Sequence, residues 1–488
     1  MSVQLLLVGQ LTGIEDFLLS PAGAAECAAA GYAGQHSLAG RSHWVTLLAE
    51  VIPRALLAEL GLPRILLGAS GGGQFLLVLP GDAGDAARQF LREAAQSVSR
   101  LSGNRLQLLW GATENLGDWS VVRRRIQDEF ERQRSEARAL DPSVFEPFTE
   151  EAPPEGDAYF PELSRALWDA DSVGWNPEEP ARIVVGPGKH TWSLASGRNP
   201  EAIVFARHAA PSDDGQAPAD LETLARRAQG KPIWGVLRGD ADNFRIRMRR
   251  AQTIEEHVQL SILYRHFFAG ELEVLCSQPE FWRKVTILYT GGDDFAVYGA
   301  WDALAPLARE MQRLFHRFSE ENLKEFPGPE GKTISMAIAL AESPEATLAS
   351  VYREAGRLLA LAKAADKDCL YFLGRTLEWK QLGDAAELKD TLVRMVNETA
   401  ASRHVLHELS RFYHKGAAAQ SVEAELLERP WRFQRRLNRA LAGAREREVQ
   451  KLRAHLASEL SSRGAAQVRL RPAGLVALEW ARLTTEVQ

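Results

Sequence analysis

The chain has 488 residues, 45% hydrophobic and 25% charged, with a formal net charge of −6. Those values suit a protein of several globular domains, and no apolar run nears the roughly 18 residues needed to cross a bilayer, so no membrane partner is expected. Cys27, Cys276 and Cys369 lie too far apart for a cysteine-rich zinc site. They are expected to be buried free thiols, and with no signal peptide ahead of the first strand they favour a cytoplasmic protein.

Residues 1–140 read as a first α+β unit. Leu5–Ile14 is a strand pattern, Ile65–Leu79 a hairpin with Gly71, Gly72 and Gly73 at its corner, and Leu106–Ala112 a further strand. A long charged helix, Trp119–Ala137, closes the unit. Residues 141–218 differ in texture, holding 11 of the 23 prolines and many acids. This stretch reads as an irregular insert with short strands at Arg182–Val185 and Ala202–Ala206. It contains no cysteine and must hold together without zinc. Gly186-Pro-Gly-Lys189 lacks the spacing of a phosphate loop and is expected to be a turn between strands.

Residues 219–375 form a second unit. A strand, Ile233-Trp-Gly-Val-Leu-Arg-Gly-Asp240, leads into Asp242, Asn243 and Phe244 and then into a mostly helical stretch ending near Phe268. Arg245, Arg247, Arg249 and Arg250 near its start could receive a triphosphate or RNA, or form a solvated basic face. Val285–Tyr298 is a buried hairpin with Gly291-Gly292-Asp293-Asp294 at the corner. Trp301–Asn322 carries Leu304, Leu307, Met311, Leu314 and Phe318 at helical spacing, which predicts a core stripe. A strand over Thr333–Leu340 and a helix over Leu348–Ala364 follow.

The carboxylates give the second unit its chemistry. Asp293 and Asp294 are adjacent at a tight corner, where they repel each other unless a cation joins them. All-oxygen ligands favour Mg²⁺ or Mn²⁺. If the strand ending at Asp240 pairs beside the hairpin, a third carboxylate joins the site. The first unit has the same layout with other residues: Gln10 stands where Asp240 does, Gly73 where Asp293 does, and Gln74 where Asp294 does. That pattern predicts an internal duplication whose first copy is catalytically dead, with Gly71–Gly73 kept as a loop that lets backbone approach a ligand closely. A symmetric pair with one live half suits the joining of two molecules of one substrate, one activated and the other held as acceptor.

Residues 376–488 are expected to be helical, ending in a short strand-like Val468–Arg471. Positions 401–488 carry 16 Lys and Arg against 9 Glu, leaving 42 basic and 55 acidic residues for the rest. A basic end on an acidic body points to a polyanion or an acidic partner there. Arg432, Arg435, Arg436 and Arg439 fall on one helical stripe and are the candidate contacts to RNA or a partner subunit; His404 and His407 lack a third ligand and are expected to be ordinary helix residues.

In order along the chain, these motifs resemble the large polymerase-cyclase subunit of type III CRISPR effector complexes. In the first unit, Leu11-Thr-Gly-Ile-Glu-Asp-Phe17 is similar to the family's opening Ser-Gly-Ile-Gln stretch, and Ser37-Leu-Ala-Gly-Arg-Ser42 to its Ser-Leu-Arg-Gly-Arg-Ser helix start. In the second, Gly235–Asn243, Gly291–Asp294, Ile334–Ile338 and Ala362-Lys363 follow the family's order. The resemblance implies two ferredoxin-like palm domains plus a C-terminal helical bundle. It implies polymerisation of ATP through 3′–5′ linkages into cyclic oligoadenylates, switched on when the guide RNA captures a target RNA within a complex of other subunits. Asp240, Asp293 and Asp294 would be the metal-holding catalytic residues, with Asn243, Phe244, Gly291, Gly292, Ser335 and Lys363 around the nucleotide. By similarity Lys363 is a candidate triphosphate clamp and Ser335 a candidate base contact. Many relatives carry an N-terminal HD nuclease domain; here the palm begins at residue 1 and no His-Asp dipeptide occurs, so no such nuclease activity is expected. Two rival readings stand beside this one. One is a stand-alone cyclase making a cyclic mono- or dinucleotide; the other is a silent scaffold, against which the three retained acids argue.

Overall fold

The protein is described here by a computed structural model covering residues 4–19, 32–139, 158–194, 201–343, 345–398 and 471–486, with a few short stretches between 399 and 470. The first unit runs β1 (Gln4–Thr12), α1 (Ile14–Leu19), α2 (Tyr32–Glu59), β2 (Leu67–Gly71), β3 (Gln74–Pro80), α3 (Gly84–Leu101), β4 (Gln107–Glu114) and α4 (Trp119–Ala139). Its four strands pair antiparallel in the order β2-β3-β1-β4, the arrangement of a ferredoxin-like sheet. Alternation along each strand sends one set of side chains toward α2 and α3. The other set, Leu6, Leu76 and Leu109, meets Trp119, Val122, Ile126 and Phe130 of α4.

The insert contributes α5 (Tyr159–Leu167) and a small antiparallel sheet of β5 (Ser172–Trp175), β6 (Ile183–Val185) and β7 (His190–Ser193). It shares the core of the first unit: Phe160 packs against Trp44 and Phe17, and the Trp44 indole donates to Ala181 O at 2.8 Å. Gly186–Lys189 is the turn joining β6 to β7, as its residues predict. Residues 202–206 are not a strand. They are mostly buried without regular structure, and just beyond them the backbone N–H groups of Arg207 and His208 donate to the Glu273 carboxylate at 2.8 Å each, not to a strand ladder.

The second unit follows α6 (Leu221–Arg226) with β8 (Trp234–Ala241), α7 (Phe244–Arg250), α8 (Ile254–His266), a π-turn over Phe267–Glu271 and α9 (Leu272–Cys276). Then come β9 (Val285–Thr290), β10 (Asp294–Ala300), α10 (Trp301–Asn322), β11 (Ile334–Leu340), α11 (Leu348–Ala364), β12 (Cys369–Phe372), β13 (Arg375–Glu378) and α12 (Trp379–Glu398). The sheet order is β13-β12-β11-β8-β10-β9. Its last four strands repeat the first unit: β8 takes the place of β1, the β9–β10 hairpin that of β2–β3, and β11 that of β4. The duplication extends to packing detail. A Cβ on Gly9 would strike the Phe75 ring, and one on Gly239 would strike the Phe295 ring, so each central strand needs glycine where the hairpin's phenylalanine lies across it. Leu304, Leu307, Met311 and Phe318 are buried, with Leu314 at the margin of the same core. In the C-terminal part, Leu427–Glu428, Ser461–Arg463 and Val468–Leu470 form β14, β15 and β16 of a small sheet, and α13 (Pro472–Thr485) packs on α12. Among the described residues this end thus has two helices with a small sheet added.

The two units exchange helices. α2 of the first packs on β9 of the second, while α8 of the second packs on β2 of the first. Gln35 on α2 donates to the Tyr298 hydroxyl at 3.0 Å across this junction. Gly72 and Gly292 meet at its centre, where a Cβ on Gly72 would lie 2.8 Å from Gly292 N.

Candidate active site

Strand register brings the acids together. Asp240 at the end of β8 pairs directly with Asp294 at the start of β10, and Asp293 sits in the turn with its carbonyl accepting from Ala241 N at 2.8 Å. In the first unit the same register pairs Gln10 with Gln74. A Cβ on Gly291 would collide with Oδ1 of Asp294, so any larger residue there would have to turn that carboxylate.

All three carboxylates hold their protons more tightly than free acids, burial being the largest cause for each. Burial, then Asp294 and Asp240, push Asp293 up to about 8; burial, then Asp240, push Asp294 up to about 6. Asp240 is also raised, chiefly by burial, although Lys363 opposes the shift. Their present partners are single ones: Lys363 Nζ contacts Asp240 Oδ1, and the Tyr289 hydroxyl donates to Asp294 Oδ2 at 2.9 Å. Among the described residues no three acidic, His or Cys side chains stand gathered in metal-ligating geometry. The donor chemistry nevertheless fits a hard divalent ion: three oxygen-only ligands at one strand end, destabilised as anions until a cation joins them.

Other expected residues divide. Asn243, in the left-handed conformation at the start of α7, accepts from Lys367 Nζ at 2.6 Å, and Phe244 stacks edge-on against Tyr264. Ser335, the expected base contact, does not line the cavity. It is fully buried, and its hydroxyl donates to Asp242 Oδ1 at 2.7 Å. Asp242, 2% exposed, also accepts from the Thr333 hydroxyl at 2.8 Å and Asp368 N at 3.0 Å, so it braces β8 to β11 and to the turn before β12. Arg247 is structural too: its buried guanidinium donates to Glu330 O, Pro327 O and Gly328 O, and Arg250 pairs with Glu330. Arg245 and Arg249 line the cavities described next. Of the C-terminal stripe, Arg435 is helical and exposed; Arg432, Arg436 and Arg439 lie outside the described residues.

Two cavities flank the paired glycine loops. The first, about 660 Å³, holds Asp240, Asp293, Asp294, Lys363 and Lys367 and is walled on its far side by Ile14, Leu18, Val45 and Thr46 of the first unit. The second, about 630 Å³, lies over Gln10, Gln74 and Gly71. Its lining carries Arg123, Arg134, Arg245, Arg249 and Arg265 against the one carboxylate of Asp293. Arg238, Tyr289, Tyr352 and Lys367 at the first cavity went unnoticed in the sequence. Arg238 was within reach of a period-two argument, since it lies two residues before Asp240 on the same face; its guanidinium stacks on the Tyr352 ring at 4.2 Å. Nothing local marks Lys367.

Residues 233–371 match the family model of the Cas10/Cmr2 second palm domain, and residues 3–137 match that of Csm1 subunit domain B. The chain belongs to the Cas10/Csm1 family. A curated relative, the CRISPR system single-strand-specific deoxyribonuclease Cas10/Csm1 (subtype III-A) of Enterococcus italicus, is 28% identical over 182 residues, covering 36% of this chain and 22% of the relative. The aligned part is thus about a fifth of that relative's length. Among solved structures, a Csm1–Csm4 cassette in complex with cA4 superposes with a TM-score of 0.70 at 16% identity, covering 99% of this chain and 70% of the other. A Csm1–Csm4 cassette in complex with one ATP gives 0.69 at 17% identity, covering 100% and 70%. At such identity the likeness establishes that this Cas10 family member shares the double-palm fold.

Proposed function

We propose that this chain joins ATP molecules through 3′–5′ linkages into cyclic oligoadenylates, as the catalytic subunit of a type III CRISPR complex that becomes active when its guide RNA captures target RNA. One observation carries the reading: Asp240 faces Asp294 across adjacent strands with Asp293 in the turn between, at a cavity whose walls come from both units. The structural neighbours' bound ATP and cA4 support it.

In this reading the donor ATP occupies the first cavity. Divalent ions, Mg²⁺ or Mn²⁺, held by Asp240, Asp293 and Asp294 would lower the pKa of the acceptor 3′-hydroxyl and offset charge on the triphosphate. Lys363 and Lys367 present ammonium groups to that triphosphate. The acceptor's 3′-oxygen bonds to the donor's α-phosphorus, the α–β bridging bond breaks and pyrophosphate leaves; the hydroxyl proton passes to solvent water. Such transfer needs positioning and charge stabilisation above all. The acceptor lies over the first-unit hairpin, where Arg123, Arg134, Arg245 and Arg249 of the second cavity suit its 5′-triphosphate and outnumber the one carboxylate of Asp293. Close approach at Gly72 is made to Gly292 of the other hairpin, so Gly71–Gly73 serves the acceptor by seating the two loops together.

The assembled chain, incubated with labelled ATP, Mg²⁺ and target RNA, should yield cyclic adenylates by mass analysis, and the product should vanish without metal. Linear or mononucleotide products alone would favour the stand-alone cyclase. No turnover by the intact assembly would leave the scaffold reading.

A further inference from the structure

Behind the first hairpin lies a buried ionic cluster that the chemistry above leaves unused. Glu50 on α2 accepts from Arg54 one turn later and from the Ser70 hydroxyl at 3.0 Å. Arg265 arrives from α8 of the other unit, with its guanidinium 3.0 Å from the second Glu50 oxygen and 3.4 Å from Ser70 Oγ. Its aliphatic stem crosses the hairpin, so a Cβ on Gly71 would meet Arg265 Cδ at 3.2 Å. Burial favours the neutral acid, but Arg265 and Arg54 outweigh it and hold the Glu50 carboxyl below its usual range.

The reciprocal contact differs. Where α2 backs the catalytic hairpin, it offers Ser42, Val45 and Thr46 to the cavity; where α8 backs the first hairpin, it offers His257, Ser261 and Arg265. The catalytic loop thus rests on neutral side chains, and the loop without acids is tied by charge. A buried ion pair adds little net stability over an apolar replacement of equal volume. Its geometric demand is strong, because a guanidinium must meet carboxylate and hydroxyl at once.

We propose that Arg265 is a positioning residue for the acceptor nucleotide: by locking Glu50 and Ser70 it fixes the first hairpin against the catalytic unit and sets the acceptor side of the junction. This rests on the two-nucleotide reading above. Arg265→Met is the direct test, because Glu50 keeps Arg54 as a partner. Binding of a non-hydrolysable ATP analogue with Mg²⁺ is measured by calorimetry on the full chain, beside condensation rates over a range of ATP concentration. Wild type should bind two equivalents. The variant should keep one affinity and weaken the other at least about 10-fold, with half-saturating ATP rising more than the maximal rate falls. Arg265→Lys should recover part of the loss, and Ser70→Ala should show a smaller loss in the same parameter; these two decide the matter if Arg265→Met does not fold. A residue needed only for stability would lower the melting temperature and leave both affinities alone. Two unchanged affinities in every folded variant would overturn the inference by itself. A wild type that binds one equivalent would overturn the two-nucleotide reading, and this inference with it.

Discussion

Asp293 and Asp294 occupy the position in the chain where sequence and energetics agree best, since adjacent acids at a glycine corner have no structural use that offsets their repulsion. Replacing both with Ala should lower condensation on the order of 10³-fold or more, measured as labelled product per subunit, while the chain still assembles. Near wild-type synthesis by that variant would remove these residues from the mechanism. Their titration gives a second test. Folded Asp293 and Asp294 are raised to about 8 and about 6, whereas the unfolded chain releases those protons near 4. Between these values the folded state binds more protons at these two sites, so their contribution to metal-free stability is full below about pH 4 and is lost as pH rises through 8. Asp293→Asn should flatten the fall, and Mg²⁺ should restore stability at pH 8; melting curves in chelator that run parallel for both proteins would contradict this. Sequence gave no warning that Ser335 serves Asp242. A serine on a strand beside acids reads the same whether it faces ligand or core, and only register shows that Asp242 takes its hydroxyl.

At the scale of elements, strand and helix periodicities carried far. α10 and α11 lie where helical spacing puts them, and β8 and the β9–β10 hairpin lie where their apolar runs put them, buried on both faces of the sheet. What periodicity could not show was which glycines are packing residues. Gly239 lies in ordinary extended backbone, and its constraint is the Phe295 ring, 56 residues away, whose nearest atom would sit 2.3 Å from an added Cβ. Gly239→Ala should therefore cost about 1–3 kcal/mol in denaturant unfolding. Adding Phe295→Leu should recover part of that cost, a non-additivity absent if the two do not touch. The apolar run at 202–206 misled for a related reason. Its residues serve burial, while the backbone next to it bonds a glutamate.

Across the whole molecule, the first copy is a partner surface for the second. Helix exchange and the meeting of Gly72 with Gly292 make the distance between the hairpins a property of both units. Gly72→Val adds a branched side chain at a φ of 58° and within contact of Gly292 N, so the loops must part. Condensation should drop at least about 10-fold, with Mn²⁺ binding at the acids retained. A folded variant with normal output would mean that the junction tolerates separation. At the far end, the basic stripe of Arg432, Arg435, Arg436 and Arg439 is proposed to dock RNA or a neighbouring subunit. Changing all four to Glu should weaken co-purification of partners and flatten its salt dependence, since fewer counterions are released on binding. Unchanged co-purification would assign the stripe to solvent.

The turn of the first hairpin limits what the first copy can carry. Gly71, Gly72 and Gly73 have φ values of 130°, 58° and 73°, whereas neither Gly291, Gly292 nor Asp293 enters that region. A Cβ at Gly73 would also press on Ile14 at 2.9 Å. The first copy thus turns through a corner that only glycine adopts without strain. Writing aspartates at positions 10, 73 and 74 would not by itself make a second catalytic site, because the corner's backbone would have to change before it could carry the carboxylate at position 73.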